Sequence, residues 1–287
     1  MRANPESSGL TILADYYPCF MKIIPWNKIQ QKAKRFLKLF NLSKLLPKVG
    51  RKQSLSIHES LCYGLFKHQY GIPTKKAVYE IFKPNCSYKT FVVSMNKWSL
   101  IAALIIMLIM EINRSFQHPV KHIDSTIIPV CRFKNAKKHK TMADIADYGN
   151  SGQGTFFGLK LHLISDLLMN IQSLLFTPGS TSDKDPDTVL KLSRDIWGLL
   201  IGDAGYVSGK LAKLFNQEGL RLLMVKPYKN MKKLATKLQG LLYGTRMLIE
   251  SHFRNLKMFH GLVTSLPRSV LGYFGNYFYS ILSYQLA

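Results

Sequence analysis

His122-Ile123-Asp124-Ser125-Thr126-Ile127-Ile128-Pro129-Val130 is where this chain changes character. The stretch is β-branched over most of its length, as a buried strand is. It also sets one carboxylate, Asp124, among isoleucines, where an unpaired charge is costly. Upstream of it the apolar residues recur at helical spacing. Downstream, strand-like and helical segments alternate. Helices first and a mixed run of strands and helices afterwards predict a small helical part followed by an α/β sheet.

Toward the N-terminus, residues 1–20 read as irregular. Residues 26–46 predict a basic amphipathic helix, with Trp26, Ile29, Ala33, Phe36, Leu37 and Phe40 at helical spacing and Lys28, Lys32, Lys34, Arg35 and Lys38 around them. Such a helix suits DNA phosphates, a membrane surface, or a core contact with a solvated basic face. Residues 47–52 break the pattern. Ser56 and Glu59 form a capping box opening a helix to about Gln69. Tyr70 to Pro73 is a turn, and a short helix over about 74–82 follows. The pair between 56 and 82 is either a helix–turn–helix holding Lys75 and Lys76 at a DNA groove or an ordinary packed pair. Further helices are predicted near 88–97 and 100–113. The apolar run Leu100 to Met110 meets Glu111 well short of the roughly 20 residues of a membrane span, so it predicts a buried helix.

Toward the C-terminus, residues 132–155 are polar, basic and Gly-rich, and predict a loop. Strands are expected at Phe156–Ile164 and Ile171–Phe176, then a helix from Asp185-Pro186 to about Trp197. Leu199–Gly202 is a short strand, Ser208–Glu218 a helix and Leu220–Val225 a strand. Residues 226–240 are Lys-rich, about 245–259 is helical, and the aromatic tail 267–287 is helical.

Composition narrows the function. Of 287 residues 47% are apolar, so a sizeable core is available, and Lys plus Arg number 40 against 16 acids, a net charge of +24. Residues 1–120 hold 18 basic and 5 acidic side chains, and residues 121–287 hold 22 and 11. The excess is therefore no detachable tail, and it points to a polyanionic partner. Cys19, Cys62, Cys86 and Cys131 form no C-x-x-C pair, which excludes a zinc knuckle or dithiol site and suggests reduced thiols. With no secretory signal at the start, a soluble cytoplasmic protein without membrane partners is expected.

Acids are scarce, so each buried one matters. Besides Asp124, Asp203 ends Leu199-Leu200-Ile201-Gly202, and Glu250 follows Met247-Leu248-Ile249. Taken alone, each reads more readily as a structural carboxylate, a strand-end turn acid or one paired with Lys. Tyr243, Arg246, Glu250 and Lys257 are spaced by three, four and seven, which gathers them within about 60° of one another on a helix. Leu242, Ile249, Phe253 and Leu256 lie beside that arc, so Glu250 is placed at the edge of the core. Gly244 and Thr245 leave open where the helix begins, and an i, i+4 salt-bridged face is the plainer reading. Other motifs fail. Gly152-x-Gly154-x-x-x-Gly158 precedes a strand and is no dinucleotide loop. Asp183-x-Asp185-x-Asp187 has Thr188 and Arg194 at the sixth and twelfth calcium-loop positions, and its acids suit the N-terminus of the next helix. His122, His162, His252 and His260 form no H-E-x-x-H site, and no nucleophile elbow is present.

Taken together, Asp124 in Ile-Asp-Ser-Thr, Asp203 in Gly-Asp-Ala-Gly-Tyr, and Tyr243-x2-Arg246-x3-Glu250-x6-Lys257 resemble the catalytic domain of the DDE transposases of bacterial insertion sequences over residues 119–285. The last pattern is that group's Y-R-E-K signature. The resemblance implies a ribonuclease-H-like fold: a mixed five-stranded sheet flanked by helices. Residues 118–287 would form it, after a helical, DNA-binding region over 1–117. It implies Asp124 in the first strand, Asp203 at the end of the fourth and Glu250 on a packed helix, as catalytic carboxylates holding two Mg²⁺ ions, with Mn²⁺ able to substitute. Tyr243, Arg246 and Lys257 would hold DNA phosphates. The implied partner is double-stranded DNA, as terminal inverted repeats and target, bound by a homodimer at the nucleoid. A catalytically dead DNA-binding relic and a nuclease of the same fold without strand transfer are the alternatives. A peripheral membrane protein using helix 26–46 is a third, and it leaves the three carboxylates unexplained.

Overall fold

The computed structural model describes residues 24–42, 53–152, 154–206, 208–225 and 236–287. The expectations for residues 1–20, 43–52 and 226–235, and for Cys19, lie outside the described residues.

Among the described residues four helices come first: α1 Trp26–Leu39, α2 Ile57–Gln69, α3 Lys75–Phe82 and α4 Tyr88–Ser115. On α1, Ile29 and Ala33 are buried while Lys28, Lys34, Arg35 and Lys38 are exposed, the core-packed alternative of its sequence reading, and Lys32 packs at the edge with its ammonium on the Leu286 carbonyl. The capping box of α2 forms as expected: the Ser56 hydroxyl accepts from the Glu59 amide and the Glu59 carboxylate accepts from the Ser56 amide. The two helices expected at 88–97 and 100–113 are one, of 28 residues. No Gly or Pro separates them, and Ser99 returns its hydroxyl to the Asn96 carbonyl without breaking the helix. By length and composition α4 is long and apolar enough to cross a membrane. Here its Phe91, Met95, Trp98, Ala102 and Ile105 face is buried.

The sheet follows: β1 Val120–Pro129, β2 Asp147–Ser151, β3 Gly154–Asp166, β4 Ile171–Pro178, β5 Gly198–Gly202 and β6 Arg221–Val225. Its order is β2-β3-β1-β5-β6, with β4 also paired to β3. β1, β3 and β4 are antiparallel neighbours, while β1, β5 and β6 run parallel. Helices α5 Pro186–Leu192 and α6 Gly209–Glu218 cross between the parallel strands. This is the ribonuclease-H-like layout, with six strands rather than five. The extra one, β2, falls in the stretch read as loop. Its Asp-Tyr-Gly-Asn-Ser sequence carries no strand pattern, and it is held by backbone pairing to the start of β3.

Helices α7 Lys237–Gly244, α8 Met247–Met258 and α9 Val270–Leu286 complete the chain. One sheet face packs Ile128, Leu161 and Leu163 against Ile249, Phe253 and Leu256 of α8, in a core that continues through α9 into α2 and α4. The other face packs Ile123, Ile164 and Leu200 against Val189, Leu211 and Phe215. Asp166 is buried as a turn residue, its carboxylate accepting from the amides of Leu168 and Asn170 and from Gln172.

Candidate active site

Strand register brings the first two acids together. The parallel ladder of β1 and β5 runs from Val120 opposite Leu199 to His122 opposite Ile201. Two residues further along from this last pair stand Asp124, still on β1, and Asp203, the residue after β5 ends, near enough for its charge to act on Asp124. The β5 ladder stops there because the chain turns. Asp203 Oδ1 accepts from the Gly205 amide at 2.8 Å, and Ala204–Tyr206 form one 3-10 turn.

The third acid comes from α8, and Arg246 ties it in. One guanidinium nitrogen, Nη2, lies 2.8 Å from Glu250 Oε1 and 3.7 Å from Asp124 Oδ2. The two carboxylates are therefore no farther apart than those distances together. Arg246 Nη1 donates to the Tyr243 hydroxyl at 2.9 Å. Tyr243 and Glu250 do not share one helix: Tyr243 ends α7, Arg246 precedes α8, and i→i+3 backbone bonds from Thr245 and Arg246 make a tight joint. Lys257 sits two turns beyond Glu250, partly buried, and burial lowers its pKa.

The electrostatics single out Asp124. Burial raises its carboxyl to about 7. The Ser125 amide and Arg246 oppose that rise, and the charges of Asp203 and Asp183 add to it. The side chain is 17% exposed and Glu250's is 60% exposed, so the site opens at the Glu250 side. Tyr206 is buried beside Ser125, its hydroxyl pKa pushed up by burial and then by Asp124, Asp183 and Asp203.

Two contributors were missed in the sequence. His122 reaches Thr245 Oγ1 with Nε2 at 2.8 Å and so pins the α7–α8 joint to β1. Burial, with Arg246 adding, depresses it to about 4, keeping it neutral. Asp183 does not serve the next helix. It accepts from Ser125 Oγ at 2.7 Å and pairs with Lys160 Nζ at 3.1 Å. Asp185 does serve that helix, accepting from the Thr188 amide at 2.9 Å. No local pattern announces the first two, because both contacts join distant segments. Of the two lysines in the helix–turn–helix reading, Lys75 turns inward to Asn96, and Lys76 stays exposed, paired with Glu80 and lying over Tyr79 and Tyr88.

Hard carboxylate oxygens are the donor type that holds Mg²⁺ or Mn²⁺, and the raised Asp124 pKa reports first the burial of its carboxyl and only then its acidic neighbours, a cost that a bound cation relieves. Among the described residues no three metal-ligand side chains are already gathered closely enough to hold an ion. Arg246 supplies the positive charge between Asp124 and Glu250. The residues fit a divalent ion in chemistry, with Arg246 required to move aside.

The family model described as a transposase DDE domain matches residues 114–270, more than half of the chain. Among solved structures the chain is similar to the Mos1 transposase paired-end complex with left transposon end, at 10% identity and a TM-score of 0.27, over 92% of this chain and 87% of that one. It is likewise similar to the Mos1 mariner paired end complex with Mn, at 12% identity and a TM-score of 0.26, over 94% and 88%. No curated protein matches the chain.

Proposed function

We propose, from the premise that this chain belongs to the transposase DDE-domain family, that it cuts double-stranded DNA at the ends of an insertion sequence and joins those ends to target DNA. The observation that carries this reading is the bridging of Asp124 and Glu250, from two separate elements, by one guanidinium, with Asp203 after the end of β5 near enough for its charge to act on both Asp124 and Arg246.

In this reading Asp124, Asp203 and Glu250 hold the divalent ions, Mg²⁺ or Mn²⁺. Bound there, these supply activation of the attacking oxygen and stabilisation of the leaving oxygen. The chain's own residues do the rest. Burial keeps Asp124 poised near neutral pH, so that it ionises when a cation arrives. Arg246, released from Asp124, turns its fork to a phosphate beside Tyr243, a geometry that suits bidentate phosphate contact. Lys257 grips a second phosphate along the same face. His122, held neutral, fixes the joint that carries Arg246.

The net charge of +24 supplies sequence-independent attraction to the duplex. Residues 1–117 act as the DNA-binding part and 118–287 as the catalytic part, working as a homodimer on DNA in the cytoplasm, without membrane partners. Terminal inverted repeats and target DNA are the substrates. The test is incubation with labelled DNA from the flanks of its own gene. Cleavage in Mg²⁺ or Mn²⁺, none in chelator, and binding without turnover in Ca²⁺ are expected. Robust cleavage in excess chelator would refute the metal-dependent mechanism.

A further inference from the structure

A cavity of 360 Å³ lies between the turn joining α2 to α3 and the loop after α8. Its wall carries a cation with no counter-charge. Lys67, 7% exposed, donates from Nζ to Asn276 Oδ1 at 3.1 Å. That amide is held in turn by donating to the Gly261 carbonyl at 2.9 Å. An ammonium has three N–H donors, and among the described residues no acid pairs with this one. Half-buried Lys75 adds a second positive charge nearby, and its ammonium also ends on a neutral amide, Asn96. Burial lowers both lysines to about 8, and for Lys67 the charge of Lys75 adds to the effect.

A second group in the same wall is incomplete. His68, 2% exposed, must donate from Nδ1 to the His260 carbonyl, 2.7 Å away. Its Nε2 therefore carries the lone pair, and that buried atom has no partner. Ser265 stands exposed at the mouth, and Ile72 and Leu266 complete the wall.

We propose that this cavity binds a phosphate group. Lys67 offers its uncommitted N–H bonds to the phosphate oxygens, Lys75 contributes field, and His68 Nε2 accepts from a water that donates its other proton to a phosphate oxygen. The strand source is favoured by position. Met258 lines the cavity at the end of α8, about 12 Å from Glu250 at 1.5 Å per residue. That is the span of roughly three to four nucleotides of duplex, with Lys257 between. A backbone phosphate of DNA held at the carboxylates would reach it, a source that rests on the proposed function. A free nucleotide or inorganic phosphate presents the same chemistry.

The test uses the full chain without divalent cation, so it reads no cleavage and stands apart from the transposase reading. The probes are inorganic phosphate, followed by calorimetry, and a labelled duplex from the gene flanks, followed by anisotropy across a salt series. Lys67→Met removes the cation. Ser265→Glu places a carboxylate at the exposed mouth and leaves the buried groups intact, so it decides the matter should Lys67→Met fail to fold. Both variants are expected to lose phosphate binding, to bind the duplex about tenfold more weakly, and to show a salt slope smaller by about 0.9. Loss of phosphate binding with unchanged duplex affinity would assign the site to a small phosphate ligand. Phosphate and duplex binding equal to wild type in both variants overturns the proposal.

Discussion

Asp124 is the residue on which the site's chemistry turns, and its environment sets a sign. Burial raises its carboxyl to about 7 from an unfolded value near 3.9. Between those values the native state holds a proton that the unfolded state has lost, so the contribution of Asp124 to stability declines as pH rises through the window. Above pH 7 the full penalty is present. Asp124→Asn is therefore expected to stabilise the metal-free protein at pH 8 by about 2–4 kcal/mol, with the gain gone near pH 4. Urea unfolding at the two pH values measures it, and a gain that does not change with pH contradicts the assignment. Lys257 has a different expectation. If it grips the phosphate next to the reacting bond, Lys257→Ala should lower single-turnover cleavage far more than equilibrium DNA binding. Equal losses would make it one more basic residue.

At the scale of elements, the joint between α7 and α8 is what aims Arg246 and Glu250. Thr245 holds it by donating to the Leu242 carbonyl at 2.6 Å and meeting His122 at 2.8 Å. Thr245→Val removes both bonds at constant shape. It should cost cleavage about tenfold by misplacing the joint while DNA affinity stays near wild type, and unchanged cleavage would show the joint to be passive. The packing of α2 on α9 is tighter still. A Cβ on Gly64 would fall 2.3 Å from the ring of Tyr279, whose hydroxyl is committed to the Met95 carbonyl at 3.0 Å. Gly64→Ala should cost about 2–3 kcal/mol, read as a lower urea midpoint. Elements of this kind divide into those that local sequence announces and those it does not. The Ser56–Glu59 cap and the strands β1, β5 and β6 were legible because capping and short apolar runs act within a few residues. The continuity of α4 was not, since only the absence of a breaker between Lys97 and Leu100 marks it. β2 was hidden because Gly149 is dictated by a close approach, a Cβ there lying 2.3 Å from the Gly179 carbonyl oxygen, rather than by strand preference. Asp124, Asp203 and Glu250 could be read from motif order. His122 and Asp183 could not, because their partners lie 123 and 58 residues away.

Across the whole molecule, one core runs through the helical region and the α8 face of the sheet, so acid should act on the fold as a unit. His122, His162, His252 and His260 are each depressed to about 4 by burial first. Between pH 4 and about 6.5 the unfolded chain binds protons that the native state refuses. Stability from these groups is thus complete above 6.5 and lost as pH falls toward 4. Asp124 opposes this over the same range, one carboxyl against these four and the buried His68, whose pKa burial also lowers. A urea midpoint falling steeply below pH 6.5 is expected, and a flat profile from 6.5 to 4.5 would contradict the buried, neutral assignment. The central claim is that three carboxylates, delivered by β1, the end of β5 and α8, form one catalytic site. Its most direct measurement is single-turnover cleavage of the labelled flank duplex in Mg²⁺ by wild type, Asp124→Ala, Asp203→Ala and Glu250→Ala, with equilibrium binding of the same duplex measured alongside. Each variant should bind the duplex close to wild type and cut it at least about a thousandfold more slowly, whereas any one of them cutting at the wild-type rate would contradict the shared site.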